Sequence, residues 1–465
     1  MKKDLLKKLP KVDYLQNVES LKKIKEDISN YDFLQCIKDS IDKFRQDILQ
    51  EEIKDFTQVQ IIEDIKLRIE KKSKEKIVKV INGTGTIIHT NLGRSIYSKD
   101  IGNKIYNILT SYNNLEYNIN EGKRGDRYSN LEKLILQVTG GEAALVVNNN
   151  AAAVLLCLNE FANGKEIIVS RGELVEIGGS FRIPKIMEFS GAKLVEVGAT
   201  NKTYIEDYLE KINENTRILM KVHTSNYKIQ GFTHEASKEE IAKLARDKNL
   251  ISMEDLGSGN FINFSKYNIV NEPTVFQSIE SGMDIITFSG DKLFGGSQAG
   301  IIIGKKKYID RLKKNQYLRT IRIDKLTVAI LESVFEIYLN KNEAVKKIPT
   351  LKMITETKEE VLGRCKVMSN ILSKFKIEHR IIETKGNIGG GSMPQEEIDS
   401  YGIEFQMEKG SVLEKLFRKN KLSIIGIIRN NKFILDLKTI QENDIEDVCN
   451  NVFQIYKRKG LIWKI

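Results

Sequence analysis

The chain has 465 residues and a formal net charge of +11, and its 41% hydrophobic and 29% charged residues are typical of a soluble globular protein of about three domains. Four widely separated cysteines exclude a disulfide scaffold and a paired-cysteine zinc site, and five prolines without a low-complexity tract argue against long disordered segments. No apolar run approaches the ~20 residues that span a bilayer, and the N-terminus lacks the apolar core of a signal peptide, so we expect a cytoplasmic protein without a membrane anchor.

Residues 1–70 are predicted to form a helical domain. Apolar residues recur there at steps of three and four, which places them on one helix face. These residues are Leu34, Ile37, Ile41, Phe44 and Ile48, followed by Ile53, Phe56, Val59 and Ile62. The charged stretch over residues 71–80 has little apolar content and is predicted to be a linker.

Residues 81–330 show short β-rich runs that alternate with amphipathic helices such as 131–138 and 238–248. The predicted strands are 144–148, 166–170, 193–198, 217–223, 250–256, 284–289 and 299–305. Several are uniformly apolar, as expected for a sheet covered on both faces. The pattern predicts a doubly wound, mostly parallel α/β domain. Residues 331–465 begin with a long helix and are predicted to form a smaller α/β domain with a glycine turn at 389–391 and a strand at 432–437.

Polar residues end four of these strands: Ser170, His223, Asp255 and Ser289. In an open α/β sheet, ligands bind outside the carboxyl ends of the strands, so these side chains are expected to meet in one crevice. Lys292 follows Ser289 after a glycine and Asp291. A lysine there can be desolvated and its pKa lowered, as a Schiff-base amine requires, although an ordinary surface lysine in a turn fits the same sequence.

Two further elements suit pyridoxal phosphate (PLP). A strand-end carboxylate at Asp255 can pair with a cationic ring nitrogen, and its ordinary alternative is a turn acceptor. Asn150, Ala151 and Ala152 open a helix directly after a strand, which leaves backbone N–H groups for a phosphate; a plain helix start explains them equally well. His223 either stacks on or bonds to a cofactor, or is only a polar strand end.

The basic segment 305–325 holds nine Lys or Arg residues against two Asp residues. It is either a solvated helix face or an anion site, in which Arg319 and Arg322, three residues apart, share a helix face.

The sequence motifs of other common ligand sites are incomplete in this chain. Residues 257–259 lack the third glycine of a dinucleotide fingerprint, residues 300–305 are too short for a P-loop, and the four histidines have no metal-binding spacing.

Several segments together resemble bacterial selenocysteine synthase, the L-seryl-tRNA(Sec) selenium transferase family. The clearest is 81–94 (INGTGTIIHTNLGR), and the likeness spans nearly the whole chain. The other segments are 6–13, 114–117, 122–128, 148–154, 171–184, 223–227, 255–259 and 289–293.

The resemblance implies a fold-type-I PLP-dependent transferase that assembles as a homodecamer and acts on seryl-tRNA(Sec) and selenophosphate. By that likeness, Lys292 matches the lysine that carries PLP and Asp255 matches the partner of the ring nitrogen. Asp291 matches an aspartate that matters for catalysis. Residues 1–70 match a tRNA-binding domain. The arginines matched to the anionic group of the selenium donor are Arg94, Arg319 and Arg322.

Two positions depart from the family, which usually has arginine where this chain has Ile427 and Lys438. A tRNA ester has no free α-carboxylate, so our hypothesis is that a carboxylate-binding arginine is dispensable; a changed contact or impaired activity is the alternative. Two other functions remain open at the level of sequence: a fold-type-I lyase or desulfurase acting on a free amino acid, and a basic nucleic-acid-binding protein on a Rossmann-like scaffold.

Overall fold

A computed structural model describes residues 2–73, 77–177, 181–269, 272–406 and 408–460. Residues 74–76 of the predicted linker, 178–180 of the family-like segment 171–184, and 461–465 of the predicted C-terminal domain lie outside the described residues. The chain divides into two compact units. One comprises residues 1–81 and 415–424, and the other comprises residues 82–414 and 425–465.

The N-terminal part of the first unit is helical, as predicted. Its helices are α1 (Lys2–Lys7), α2 (Val12–Gln16), α3 (Glu19–Lys22), α4 (Asn30–Leu49) and α5 (Gln58–Ser73). Ser29 caps α4 by accepting a hydrogen bond from the backbone N–H of Asp32 at 3.1 Å. Buried residues of α4, among them Phe33 and Ile37, share one apolar core with buried residues of α5. The unit therefore has a hydrophobic core of its own.

The prediction that Ile53, Phe56, Val59 and Ile62 continue one helix face is wrong. Residues 50–57 connect α4 to α5, and Val59 is 61% exposed. The buried stripe of α5 is instead Ile61, Ile65 and Ile69, spaced by four residues. Side chains of α5 point in directions that are unrelated to those of α4, because the connection interrupts the helix. The spacing of apolar residues in α4 therefore cannot be extended into α5.

The second unit is built on a seven-stranded sheet of order β4-β12-β11-β10-β9-β5-β8. In this sheet β12 is antiparallel to its neighbours β11 and β4, and the other pairs are parallel. The predicted doubly wound, mostly parallel sheet is confirmed. The strands up to this point are β1 (Val80–Asn82), β2 (Tyr117–Asn118), β3 (Lys123–Arg124), β4 (Ala143–Val147), β5 (Glu166–Ser170), β6 (Glu176–Ile177), β7 (Phe181–Arg182), β8 (Lys193–Val197), β9 (Thr216–Val222), β10 (Ile251–Gly257), β11 (Ile285–Ser289) and β12 (Gly300–Gly304).

Helices cover both faces of this sheet, because successive strand residues point to opposite sides and both sides are apolar. Ile285 belongs to one buried cluster and Ile286 to another on the opposite face. The helices are α6 (Lys99–Leu109), α7 (Ser129–Thr139), α8 (Asn150–Ala162), α9 (Ile183–Phe189), α10 (Ile205–Lys211), α11 (Lys238–Asp247), α12 (Val275–Glu280), α13 (Lys306–Leu312) and α14 (Lys325–Tyr338).

The remaining elements include a four-stranded antiparallel sheet of order β13-β14-β17-β16. The predicted glycine turn joins β13 to β14. All three glycines have positive φ, and a Cβ on Gly390 would lie 2.5 Å from the Ile88 side chain. The predicted boundary between residues 330 and 331 falls inside α14. The elements are α15 (Lys341–Lys347), α16 (Pro349–Thr355), α17 (Lys358–Lys374), β13 (His379–Gly389), β14 (Ser392–Phe405), α18 (Gly410–Arg418), β15 (Ser423–Ile425), β16 (Ile427–Arg429), β17 (Lys432–Asp436) and α19 (Ile445–Arg458).

Candidate active site

The predicted site residues of the strand ends lie along one edge of the seven-stranded sheet. Asp255 lies near the carboxyl end of β10, and the backbone N–H of His223, just after β9, donates to its carbonyl at 2.9 Å. Ser289 ends β11 and Asn150 begins α8 directly after β4. Since these strands run parallel, their carboxyl ends lie at the same edge of the sheet.

The Asp255 carboxylate is buried and held in place by two neighbouring side chains. Its Oδ1 accepts hydrogen bonds from Asn150 Nδ2 at 2.8 Å and from Thr287 Oγ1 at 3.3 Å. Thr287 is its register partner on β11. Burial raises the pKa of Asp255, while the Asn150 amide and the Lys292 charge act to lower it. This carboxylate is thus oriented, desolvated and close to a lysine.

Lys292 is only 6% exposed. Burial lowers the pKa of its amine, while the negative charges of Asp255 and Asp291 act in the opposite direction. The backbone of this turn is closely packed, since a Cβ on Gly290 would lie 2.5 Å from the Ser297 carbonyl oxygen. The expected desolvated lysine is therefore present beside Asp255, and its neutral form is more accessible than that of a surface lysine.

Arg94 lies beside the same turn. Its Nη1 donates to Asp291 Oδ2 at 2.5 Å, and the Ser95 hydroxyl donates to the carbonyl oxygens of Asp291 and Lys292 at 2.9 and 3.0 Å. Arg94 has a φ of +61°, directly after Gly93 at +89°. This left-handed corner turns the arginine toward a residue almost two hundred positions away in sequence.

The first turn of α8 combines capping with a contact to the site. Asn149 caps the helix by accepting from the Ala152 N–H at 2.8 Å. Asn150 directs its Nδ2 to Asp255, and in the described part of the chain its buried Oδ1 has no hydrogen-bond partner. Ala151 and Ala152 keep the turn free of bulky side chains. The cap occupies the Ala152 N–H, so the N–H groups that precede it at this helix start belong to Asn150 and Ala151.

His223 is paired with a carboxylate that sequence reasoning missed. Its Nε2 lies 2.9 Å from Glu272 Oε1, and Asn260 Nδ2 donates to the Glu272 carbonyl at 2.8 Å. Glu272 is only 7% exposed, and its charge acts to raise the pKa of Lys292. It lies in an irregular segment between β10 and α12, where no periodicity marks it.

The prediction that Arg319 and Arg322 share a helix face is wrong. A short 3₁₀ helix, Gln316–Arg319, ends at Arg319, and Arg322 lies beyond it. Both side chains are exposed, and Arg322 Nη1 is 3.7 Å from Glu116 Oε1. The Ile321 carbonyl accepts from the Asn148 N–H at 3.0 Å, so this segment still lies beside the start of α8.

Much of the remaining charge in the segment 305–325 is paired with carboxylates, as on a solvated face. Arg311 Nη2 lies 2.9 Å from Glu160 Oε1, and Lys313 Nζ lies 2.7 Å from Glu132 Oε2. The charge of this basic run is therefore partly neutralised within the protein.

The two departures from the family pattern lie in different settings. Ile427 is in β16, whereas Lys438 is completely buried and donates to the Glu356 carbonyl at 2.9 Å. Burial lowers the pKa of Lys438. Its ammonium is engaged with the backbone, which gives this lysine a structural contact.

The described ranges were also compared with the requirements of a metal site and of a membrane-spanning helix. There, no group of three or more His, Cys, Asp or Glu residues could hold a metal ion. The helices of the same ranges include none that is long and apolar enough to cross a membrane.

Comparison with known proteins gives one consistent family. A family model described as "SelA: L-seryl-tRNA selenium transferase" matches residues 80–441. A Clostridium botulinum (strain Okra / Type B1) protein named L-seryl-tRNA(Sec) selenium transferase is 46% identical, covering 98% of this chain and 100% of its own length. A protein of the same name from Caldanaerobacter subterraneus subsp. tengcongensis is 44% identical, covering 97% and 98% of the two chains.

A solved structure supports the fold independently. The chain titled "Structure of D-Glucosaminate-6-phosphate Ammonia-lyase" aligns with a TM-score of 0.56 at 18% identity, covering 84% of this chain and 99% of that chain. At this identity the likeness concerns the fold alone. Together with the sheet order, it agrees with the predicted fold class, that of the fold-type-I PLP-dependent transferases.

Proposed function

The chain belongs to the L-seryl-tRNA selenium transferase family, and we propose that it converts seryl-tRNA(Sec) to selenocysteinyl-tRNA(Sec) with PLP as cofactor and selenophosphate as selenium donor. The relatives that bear this name match almost the full length of the chain. One observation carries the assignment to the site: a buried amine, Lys292, lies close to a buried carboxylate, Asp255, at the carboxyl edge of the sheet.

The residues at this edge fit PLP. Lys292 would hold its aldehyde carbon, and Asp255 would face its ring nitrogen. The first turn of α8, with Asn150, Ala151 and Ala152, would receive the phosphate together with Ser289 from β11, and His223 would lie against the ring. The fit rests on the desolvated amine, the oriented carboxylate and the buried, unpartnered Asn150 Oδ1 in the described chain.

When bound, PLP withdraws electrons from the seryl group, so that its Cα proton becomes acidic and its β-hydroxyl can depart. The neutral Lys292 amine is the base placed to take the Cα proton, and burial favours that form. The hydroxyl takes up a proton and leaves as water, the donor's selenium then bonds to Cβ while Cα regains a proton, and a water molecule cleaves the selenium–phosphorus bond to release phosphate. Burial of the site limits hydrolysis by competing water.

The anionic selenium donor requires cationic, planar partners, which arginine provides better than lysine. We assign this role to Arg94, Arg319 and Arg322. Asp291 holds the Arg94 guanidinium at 2.5 Å and so fixes its direction beside Lys292. Lys438 donates to the Glu356 carbonyl inside the protein, a contact that fits both the dispensable-arginine hypothesis and the alternative of a changed contact.

The larger substrate requires additional surfaces. We assign tRNA binding to the N-terminal helices, which belong to the first compact unit, on the basis of the family likeness; residues 1–80 hold 19 Lys or Arg residues against 16 Asp or Glu residues. Assembly into a homo-oligomer, a decamer by family likeness, is supported by exposed apolar side chains on and after α6, namely Tyr106, Leu109, Tyr112, Tyr117 and Ile119. A cytoplasmic location would follow from the charged tRNA substrate.

The deciding experiment supplies radiolabelled seryl-tRNA(Sec) and selenophosphate to the PLP-loaded protein. We expect labelled selenocysteinyl-tRNA(Sec), and no product when selenophosphate is omitted. Turnover of free serine or cysteine but not of charged tRNA would instead indicate a lyase or desulfurase. Failure of the protein to acquire the PLP absorbance band would leave the nucleic-acid-binding alternative.

A further inference from the structure

A polar cavity of about 790 Å³ lies in the second unit beside the candidate active site. Its volume is in the roughly 300–1,000 Å³ range of small-molecule sites. His223 and Glu272 line it, and so does Ser170 from the carboxyl end of β5. The backbone N–H of His223 donates to the Asp255 carbonyl at 2.9 Å, so this end of the cavity adjoins the strand that carries Asp255. The His223–Glu272 pair is therefore a wall shared by the cavity and the reaction centre.

Buried positive charge in the cavity wall is already paired with carboxylates. Lys221 Nζ lies 2.9 Å from Glu173 Oε1 and 3.1 Å from Glu235 Oε2, and Lys238 Nζ lies 2.9 Å from Glu254 Oε1. Such pairing neutralises the field that would otherwise attract a free anion. The lining as a whole holds six glutamates against four lysines, so the cavity does not favour a free anion such as phosphate or selenophosphate.

The wall also offers a hydrogen-bonding group without a partner and two fixed aromatic rings. Ser225 is 3% exposed, and its Oγ has no hydrogen-bond partner within the described ranges. The Tyr227 hydroxyl donates to the Gly172 carbonyl. His234 Nδ1 lies 3.0 Å from the Thr203 carbonyl oxygen, and its ring stacks on Tyr204 with centroids 4.2 Å apart. Preset rings beside hydroxyl groups are the chemistry that recognises a nucleoside.

We propose that this cavity receives the 3′-terminal adenosine of the charged tRNA. The inference rests on the proposed function, because in that substrate the serine is esterified to the ribose of this nucleoside. An adenosine must therefore lie next to the reacting serine, and the cavity adjoins the reaction centre through His223 and Glu272. Ser225 would bond to the nucleoside, and the rings of Tyr227 and His234 would flank it.

The test uses the PLP-loaded enzyme and a stable substrate analogue, 3′-(L-seryl)amino-3′-deoxyadenosine. Its dissociation constant, from calorimetry and from the change in cofactor absorbance, is compared with that of L-serine N-methylamide. We expect the nucleoside analogue to bind at least tenfold more tightly. Ser225→Ala should reduce this advantage about fivefold, the loss of one hydrogen bond. Thr224→Phe, which fills the cavity, should abolish it.

Ser333→Ala is the matched control, because Ser333 is similarly buried but bonds to the Ala329 carbonyl within α14. It should leave the advantage unchanged. Equal binding of the two analogues, or an advantage untouched by both cavity variants, would overturn the inference while conversion of charged tRNA still supports the function. Displacement of the analogue by inorganic phosphate but not by adenosine would also overturn it. A wild-type enzyme that cannot convert charged tRNA refutes both.

Discussion

At the scale of single residues, the Lys292 amine lies under the influence of several charges at once. Asp255, Asp291 and Glu272 act to raise its pKa, whereas burial and the Arg94 charge act to lower it, and the lowering prevails. The position of this balance decides the pH at which the amine becomes neutral and able to attack a carbonyl carbon.

Asp255→Asn is therefore expected to lower the pKa of Lys292 further, since it removes a negative charge that stabilises the ammonium. The measurement is the rate of covalent PLP attachment to cofactor-free enzyme as a function of pH. Its midpoint should move to lower pH than in the wild type. Asp399→Asn, at an exposed partner of Lys385, is the control and should leave the midpoint in place. A midpoint that moves to higher pH would contradict the assigned charge balance.

Lys292→Ala should abolish covalent attachment of PLP, because no other amine is expected at the aldehyde. Borohydride reduction followed by mass spectrometry of the peptides detects the adduct. Lys385→Ala removes an exposed lysine and should retain it. An adduct that survives in the Lys292 variant would show that another amine carries the cofactor.

Sequence reasoning singled out Asp255 because it lies at the end of one buried strand and Lys292 because it follows another, and strand ends meet at one edge of a parallel sheet. Spacing could not have found the Arg94–Asp291 contact, which joins residues 197 positions apart; Arg94 came from the family resemblance. Glu272 had no local marker. Thr287 could have been predicted from the sequence, because aligning β10 with β11 places it opposite Asp255.

At the scale of elements, the first turn of α8 has two tasks that a pair of variants can separate. Asn149→Ala should cost about 1 kcal/mol of stability by removing the cap, and should also weaken PLP binding by disturbing the N–H groups of that turn. Thr357→Ala removes the cap of α17, where Oγ1 accepts from the Glu360 N–H, and should lower stability by a similar amount.

Thermal unfolding of the cofactor-free variants and equilibrium PLP titration provide the two readouts. We expect comparable losses of stability and a loss of PLP affinity in Asn149→Ala only. Equal PLP affinity in both variants would remove α8 from the cofactor site.

The segment 316–323 lies beside the start of α8, and its two exposed arginines are assigned to the selenium donor. Replacing Arg319 or Arg322 by Ala should raise the KM for selenophosphate about tenfold, as expected for loss of a charge-assisted hydrogen bond, with PLP affinity unchanged. Arg311→Ala is the control, since Arg311 pairs with Glu160 on α8. Unchanged donor kinetics in both variants would assign the donor to another site.

Helices and strands could be predicted where buried residues recur at a regular spacing in the sequence. The strands of the central sheet appear at the predicted positions to within one or two residues, because both faces are buried and the apolar runs end at polar turns. The failures were Val59, placed on the wrong face of α5, and the assumed helix through Arg319 and Arg322. A short connection or a 3₁₀ turn changes the direction in which the following side chains project, and the spacing of apolar residues alone does not show where this change occurs.

At the scale of the whole molecule, the chain consists of two compact units with separate cores. The sequence predicted the helical N-terminal part from its period. It did not predict that residues 415–424 group with that part, because association between distant segments leaves no local pattern. This division allows the proposed tRNA-binding part to be tested separately from the PLP site.

Deleting residues 1–73, which contain α1 to α5, should therefore reduce tRNA affinity about a hundredfold or more and leave PLP binding intact. Residues 82–414 and 425–465 retain their own core, so the PLP absorbance band should persist. Because lysine contacts to phosphate release counterions, the slope of log affinity against log salt concentration should also become shallower. Loss of the band would mean that the units depend on each other to fold. Unchanged tRNA affinity and salt dependence would assign tRNA binding to the catalytic unit.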